Sequence, residues 1–377
     1  MKILDRYLLR QFVQTFLICF LSLAGLYIVI DAFSNMDEFV RYAKEHGSLL
    51  KLLGEFYGYR AIFFFDRTSG VLALVAAMFT VTWLQQSNEL TAISAAGVPT
   101  RRIIVPVILA AASISLVAAL GRESVIPAIR GELGRSPKNL GGEIAQELKP
   151  RYDNETDILF RGRDTVAKNH QVRKPNLLLP PGLDRLGRQL MAQDAYYKPP
   201  TKERPGGYLL DHVTAPLGMD HEDSLLLGKR PIVITPQDAD WLKKDQCFVV
   251  SEVSFEQLTG GSQWRQFSST ADLIRGIHNP SLDFGADVRV AIHARIVQPL
   301  LDINLLLLGI PLVIGRENRN VFLAIGLCVI VVSVFMLVVL ACQYLGAIYL
   351  LPPAMAAWLP LMIFIPLAAW LSDVFWI

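Results

Sequence analysis

The sequence predicts a membrane α-helical bundle of six transmembrane helices with an inserted all-β, jelly-roll-like domain. Three observations predict it. Two apolar blocks flank one polar segment, the first ending near Gly121 and the second beginning near Ile296. Beyond Arg319 no Asp, Glu, Lys or Arg occurs until Asp373, and at about 20 residues per hydrocarbon core such a run holds two spans. Between the blocks, short β-forming runs alternate with Gly, Pro and Asp turns. The chain therefore divides into residues 1–121 with three spans and a connecting loop at 86–102, an insert over 122–292 that ends in a short helix, and residues 293–377 with the last three spans.

The first span follows Lys2, Arg6 and Arg10 and runs over about 11–33. This apolar run is longer than the core of a signal peptide and has no small-residue cleavage site, so it reads as a retained span. The others fall at about 62–84, 103–121, 296–314, 321–345 and 354–372. The second is interrupted at its start by Asp66 and Arg67, which either pair with each other or place the start after Ser69. Pro352-Pro353 separates the last two spans, because proline ends a helix and restricts the residue before it.

Orientation follows from Lys and Arg in the short loops. With the N-terminus inside, Lys2, Arg6, Arg10, Arg101, Arg102, Arg316 and Arg319 are cytoplasmic, against Arg41, Lys44, Lys51, Arg60 and Arg67 on the other side. This places both termini in the cytoplasm and the insert outside, in the periplasm of a two-membrane cell.

Charge in the insert is balanced, which gives no electrostatic footprint for nucleic acid. Strands are predicted over 156–162, 188–198, 207–214 and 230–235, with turns at Pro180-Pro181-Gly182 and Pro205-Gly206-Gly207. Several short strands with such punctuation predict a sandwich or jelly roll. A helix follows at 270–277, capped by Ser269 with Asp272 at the capping-box position. Only Cys247 of the four cysteines lies in the insert, so no disulfide forms within it.

Two stretches of polar or small residues stand out. From Gln86 to Arg102, Ser87 can cap a short helix with Glu89 in its first turn, Gly97 can end it in a left-handed conformation, and Pro99 can open the next helix. Its Ala, Ser and Thr face would fit a groove in a soluble partner, and the same residues fit a plain connecting turn. In the fourth span Arg295, Gln298 and Asp302 fall on one helical face. An Asp deep in a span costs about 2.5–3.5 kcal/mol on insertion scales, so this stripe faces the bundle, as a polar path or as an interhelical clamp.

No catalytic, cofactor or metal constellation is legible. Asp220-His221-Glu222-Asp223 reads as a solvated turn, and Asn154-Glu155-Thr156 is a bare sequon. Gly228-Lys229-Arg230 lacks the glycine spacing and hydroxyl of a P-loop, so the chain cannot hydrolyse ATP by a P-loop of its own.

At these residues the chain resembles the LptF/LptG permeases of the lipopolysaccharide export machine. The resemblance covers nearly the whole chain. It rests on Lys2 to Phe12 at the start, on Glu89-Leu90-Thr91-Ala92 through Gly97-Val98, on Ser269 to Ile277, on His293-Ala294-Arg295 with Pro299, and on Gly309-Ile310-Pro311-Leu312. It implies a non-catalytic permease of the inner membrane that pairs with a second six-span permease and a cytoplasmic ABC ATPase dimer. The cargo would be lipopolysaccharide or a related glycolipid, and the jelly roll would pass it to periplasmic bridge proteins of similar fold. Within it Glu89 is the expected polar contact with the ATPase, Leu90 and Ile93 its apolar anchors, and Gly97 the end of the coupling helix.

One departure is that no Lys or Arg lies between Gln11 and Val40. The candidate contacts to lipid headgroup phosphates are therefore Arg60, Arg67 and Arg122, by position alone. Two other classes fit the bare span pattern: a force-transmitting ABC permease for another lipid or lipoprotein, and a membrane-embedded enzyme. The former usually has four spans, and the latter needs a reactive mate for Asp302.

Overall fold

The computed structural model describes residues 3–141, 145–202, 204–228, 230–314 and 321–372. Lys2, Arg316, Arg319 and Asp373 lie outside them. The helices, in chain order, are α1 (Ile3–Ser34), α2 (Met36–His46), α3 (Leu49–Gln86), α4 (Glu89–Ala95), α5 (Thr100–Ala128), α6 (Arg130–Leu133), α7 (Phe255–Phe267), α8 (Thr270–Ile277), α9 (Ala286–Ile314), α10 (Val321–Ala347) and α11 (Pro353–Ser372). Two compact units result. A helical unit comprises Met1–Ile129 with Gly285–Ile377, and an insert unit comprises Arg130–Phe284. Each boundary lies further into the insert than the apolar pattern places it, because α5 and α9 continue beyond their apolar stretches.

Six helices, α1, α3, α5, α9, α10 and α11, are long and apolar enough to cross a membrane. Four of these helices extend beyond the expected spans: α1 begins at Ile3 rather than near 11 and α9 at Ala286 rather than near 296, and α3 and α5 are longer as well. Helix α3 begins at Leu49 rather than near 62 and passes through Asp66 and Arg67 without a break. Its 38 residues extend about 57 Å at 1.5 Å per residue, well over the hydrocarbon thickness. Its first turns therefore project beyond the span. There they pack on α2, whose fully buried Phe39 lies 5.1 Å from Phe56 and 5.9 Å from Tyr57, ring centre to ring centre. Helix α5 likewise continues past Gly121 to Ala128. Prolines inside α5, α9 and α11 are tolerated where neighbouring helices satisfy the freed backbone groups.

Helix α9 is the axis of this unit. In its most apolar window 61% of residues are buried, against 11% for α1, and it packs on α3, α5, α10 and α11. The core joins Phe12 and Phe16 of α1, Leu72 and Leu74 of α3, Ile104 and Val107 of α5, Val297, Leu301 and Leu305 of α9, Phe335 of α10, and Phe364 of α11. Gly309 lets α9 approach α3, since a Cβ there would overlap Leu74. A ladder of Phe16, Phe20, Tyr27, Phe64 and Phe65 closes α1 onto α3, with ring centres 5.7–6.3 Å apart across the two helices.

The insert unit is one antiparallel, 11-stranded sheet: β1 (Gln146–Glu147), β2 (Arg151–Asp153), β3 (Ile158–Arg161), β4 (Asp164–Val166), β5 (Gln171–Arg173), β6 (Asn176–Leu178), β7 (Gln189–Lys198), β8 (Gly207–Ala215), β9 (Leu225–Leu227), β10 (Arg230–Ile234) and β11 (Cys247–Val250). Strands β3, β7, β8 and β10 lie where the sequence pattern puts them. The β7–β8 hairpin is the backbone of the sheet, with Tyr197 opposite Tyr208 and Ala195 opposite Leu210.

The sheet forks at β7. One half of that strand pairs with β5 and the other with β6, which leads on to β3 and β2. On the far side β8 pairs with β11, then β10, then β9. In a flat sheet β3 and β8 would be three strand spacings apart, about 14 Å. Yet the rings of Phe160 on β3 and Tyr208 on β8 are 5.1 Å apart. The sheet has therefore curled until its branches face each other over a shared core, the sandwich-like closure that short, turn-punctuated strands predict. Tyr208 is fully buried, and its hydroxyl donates to the Val253 carbonyl at 3.0 Å. Helix α8 carries the expected capping box of Ser269 and Asp272. Ser254 and Gln257 form a second one, on α7.

Candidate coupling surface and buried polar cluster

Helix α4 joins the end of α3 to the start of α5. Its capping differs from the expected one. Asn88, in the left-handed region at φ 59°, is the N-cap and makes no side-chain cap bond. The Ser87 hydroxyl instead donates back to the Trp83 carbonyl at 3.0 Å, closing α3. Gly97 ends the segment at φ +78°, donating to the Ser94 carbonyl at 3.0 Å. Pro99 is extended and precedes the first residue of α5.

No residue of α4 is buried. Leu90 and Ile93 are half-buried because they face the chain's own bundle, against Leu8, Leu84 and Ile103. Thr91, Ala92, Ser94 and Ala95 are exposed. This small-residue face, rather than Leu90 and Ile93, is the surface open to a neighbour. Glu89 Oε2 accepts from the Tyr7 hydroxyl of α1 at 2.9 Å.

A second constellation lies within the span region, where α3, α5 and α9 converge. Asp66 does not pair with Arg67; its Oδ1 accepts from Arg122 Nε of α5 at 2.8 Å, with side chains only 7% and 16% exposed. Arg295 lies within electrostatic reach of Asp66, Arg67, Arg122 and Glu123. Of the stripe on α9, Gln298 and Asp302 bond directly, Gln298 Nε2 donating to Oδ1 at 2.9 Å. The Ser115 hydroxyl of α5 donates to the other carboxylate oxygen at 2.5 Å. Each carboxylate oxygen of Asp302 thus has a donor within the bundle, as a buried polar group requires, and for Gln298 and Asp302 the clamp reading describes this geometry. Ser115 is the partner that sequence reasoning missed. A serine in an apolar helix normally bonds its own preceding turn, and nothing in the pattern marks this one as facing α9.

The three candidate headgroup arginines do not form one group. Arg122 is held by Asp66. Arg67 is exposed, with its guanidinium 5.3 Å from the Phe63 ring centre. Arg60 lies nearer the start of α3, 4.1 Å over the Phe56 ring, and donates to the Tyr27 hydroxyl at 3.3 Å. Arg67, Arg122 and Arg295 all lie within electrostatic reach of Asp66, and Arg295 within reach of Glu123 as well.

In the insert unit, Asp220 to Asp223 is a surface turn: His221 is exposed, and Asp223 accepts from Arg185 at 3.1 Å. Among the described residues one trio has metal-ligand proximity, Asp211, His212 and Asp245. The His212 ring lies between the two carboxylates, Nδ1 3.4 Å from Asp211 and Nε2 3.6 Å from Asp245.

A search of curated proteins found no match. Comparison with known families matches residues 6–165 and 223–373 to the family described as lipopolysaccharide export system permease LptF/LptG. With six helices long and apolar enough to cross a membrane, an antiparallel β-sheet inserted in the chain between the third and the fourth, and that match over most of its length, the chain belongs to the LptF/LptG family of lipopolysaccharide export permeases.

Proposed function

We propose that this chain is the transmembrane permease subunit of an ATP-driven lipopolysaccharide exporter. It is a non-catalytic half that pairs with a second six-span permease and depends on a separate cytoplasmic ABC ATPase dimer. Together they take the lipid from the inner membrane and pass it through the β insert to periplasmic bridge proteins of similar fold. Both termini and α4 are cytoplasmic, and the insert is periplasmic.

The observation that carries this reading is α4: an exposed short helix with a face of Thr, Ala and Ser, set between two spans and seated on the bundle by Leu90 and Ile93. Small side chains let such a helix lie close in a groove of the ATPase, with Glu89 as the charged contact and Gly97 ending the helix. Closure of the ATPase then displaces α4, and α3 and α5, continuous with it, carry the motion into the bundle. Asp66, Ser115, Arg122 and Asp302 hold α3, α5 and α9 together, so these helices move as a block and the cavity against the partner permease narrows. Arg67, Arg122 and Arg295, with Arg60 apart from them, are the groups that would meet lipid A phosphates, because guanidinium binds phosphate oxygens in pairs.

The test is gentle-detergent purification of the tagged chain, followed by mass spectrometry of its proteins and lipids. A soluble ATPase, a second six-span permease and a lipid A-type lipid are expected. An ATPase with a different lipid would keep the coupling and change the cargo. No ATPase would overturn the role of α4. Orientation is checked with a membrane-impermeant thiol reagent, which should label a cysteine placed at the exposed Thr201 in intact spheroplasts.

A further inference from the structure

We infer that Tyr7 is a positioning residue for Glu89, and that through it the first two turns of α1 form part of the seat of α4. This rests on the reading of α4 as the ATPase contact.

Chain continuity ties α4 to α3 and α5 only. Its contact with α1 is a tertiary one, made across 82 residues of sequence. Leu4 and Leu8, one helical turn apart on α1, pack with Leu84 at the end of α3, Ile103 at the start of α5, and Leu90 and Ile93 of α4. This apolar cluster is separate from the main core, and Leu8, Leu84 and Ile103 are at most 1% exposed in it. Tyr7 stands beside that ridge, and its hydroxyl donates to Glu89 Oε2 at 2.9 Å.

A glutamate in the first turn of an exposed helix has three freely turning side-chain bonds. A phenol on a packed helix has two, and its oxygen is placed by the ring. The bond therefore steadies one carboxylate oxygen of this exposed pair, so that force applied at Glu89 is passed on rather than taken up by rotation of its side chain. A carboxylate has about four acceptor sites, so the remainder stay open to a cationic donor on the ATPase.

The same bond gives α4 a third mechanical connection. Force applied at Glu89 passes through Tyr7 into α1 as well as along the chain into α3 and α5. Helix α1 is the span least buried within this chain. Beyond its packed first turns, α1 therefore meets less packing from its own chain than α9 does, 11% of its most apolar window being buried against 61%.

The experiment uses the whole complex of this chain, its paired permease and the ATPase in lipopolysaccharide-loaded proteoliposomes, comparing Tyr7→Phe, Glu89→Gln and the double variant. Phenylalanine keeps the ring and removes only the donor. The expected result is a loss of about 3- to 10-fold in lipid released per ATP for Tyr7→Phe, the scale of one ordinary net hydrogen bond, since this one is exposed to water. ATPase co-purification and thermal unfolding should be unchanged, and the double variant should be no worse than Glu89→Gln. Normal release in Tyr7→Phe, loss of the ATPase from that variant, or multiplied losses in the double variant would each overturn the inference. If Glu89→Gln itself exports normally, the reading of α4 fails. If Glu89→Gln is impaired and Tyr7→Phe is not, only the role of Tyr7 fails.

Discussion

The Asp302 carboxylate occupies the space that a side chain at Gly70 would fill. A Cβ built on Gly70 overlaps both its carboxyl carbon and Oδ1, while Ser115 and Gln298 hold the group from the other sides. Three helices thus meet at one acid, α3 contributing by having no side chain there. Replacement of Gly70 by alanine is expected to destabilise the protein by about 1–3 kcal/mol, the range for overpacking a tight site. Unfolding in detergent measures it, and the Gly70→Ala/Asp302→Ala pair should recover part of the loss, since the smaller residue vacates the contested volume.

Arg122 and Asp66 are a largely buried ion pair, and the partner left behind decides the outcome of mutation. Arg122→Ala strands the Asp66 charge and is expected to cost about 3–5 kcal/mol. Removing both charges in Asp66→Ala/Arg122→Ala should cost less than removing the arginine alone. Thermal unfolding of the three variants distinguishes this from a simple loss of one contact.

Glu89→Ala is expected to lower export by about 10-fold, on the scale of a lost charge-assisted hydrogen bond, and to leave assembly with the ATPase largely intact, because Leu90 and Ile93 still seat α4. Transport and co-purification measured on the same preparation separate the two effects. Equal loss of both would assign Glu89 to assembly.

In the insert unit, the Ser224 hydroxyl and backbone N–H hold the Asp238 carboxyl below its ordinary range, the backbone bond being 2.7 Å. A depressed folded value means that its contribution is present above the unfolded carboxylate value and is lost as pH falls through the folded one. Asp238→Asn should therefore lower the stability of the protein at neutral pH, and the gap to the parent should close in acid. Denaturation followed between pH 7 and pH 3 checks this, and a gap that widens in acid would contradict it.

Much of the fold was legible because it rests on periodicity and composition. The six spans follow from apolar runs, and β3, β7, β8 and β10 from β-forming residues between turns. Strands β2, β4, β5, β6 and β9 have three residues each, too few to show an alternation, and they exist because β7 and the curled sheet give them edges to pair with. The second capping box at Ser254 and Gln257 was present in the sequence and marks α7, but the adjacent Gly260 and Gly261 and the few apolar positions, of which Phe255 and Leu258 are buried, leave little other helical signal.

The site was legible in part. Glu89, Asp302 and Arg122 stand out as charges in or beside apolar helices. Their partners, Tyr7, Ser115 and Asp66, lie 82, 187 and 56 residues away, and no spacing rule within one helix connects them. The direction of Leu90 and Ile93, toward the bundle rather than a neighbour, was set by packing on Leu8, Leu84 and Ile103. A seven-residue helix is too short to disclose that by pattern.

In the proposed function, ATP hydrolysis by a separate subunit drives lipopolysaccharide out of the membrane through this permease. The most direct measurement is ATP-dependent release of lipopolysaccharide from proteoliposomes containing this chain, its paired permease and the ATPase to a soluble acceptor domain. Release is expected with ATP, and none when the ATPase is omitted or its hydrolysis is blocked. Hydrolysis at a normal rate with no lipid leaving the membrane would contradict it.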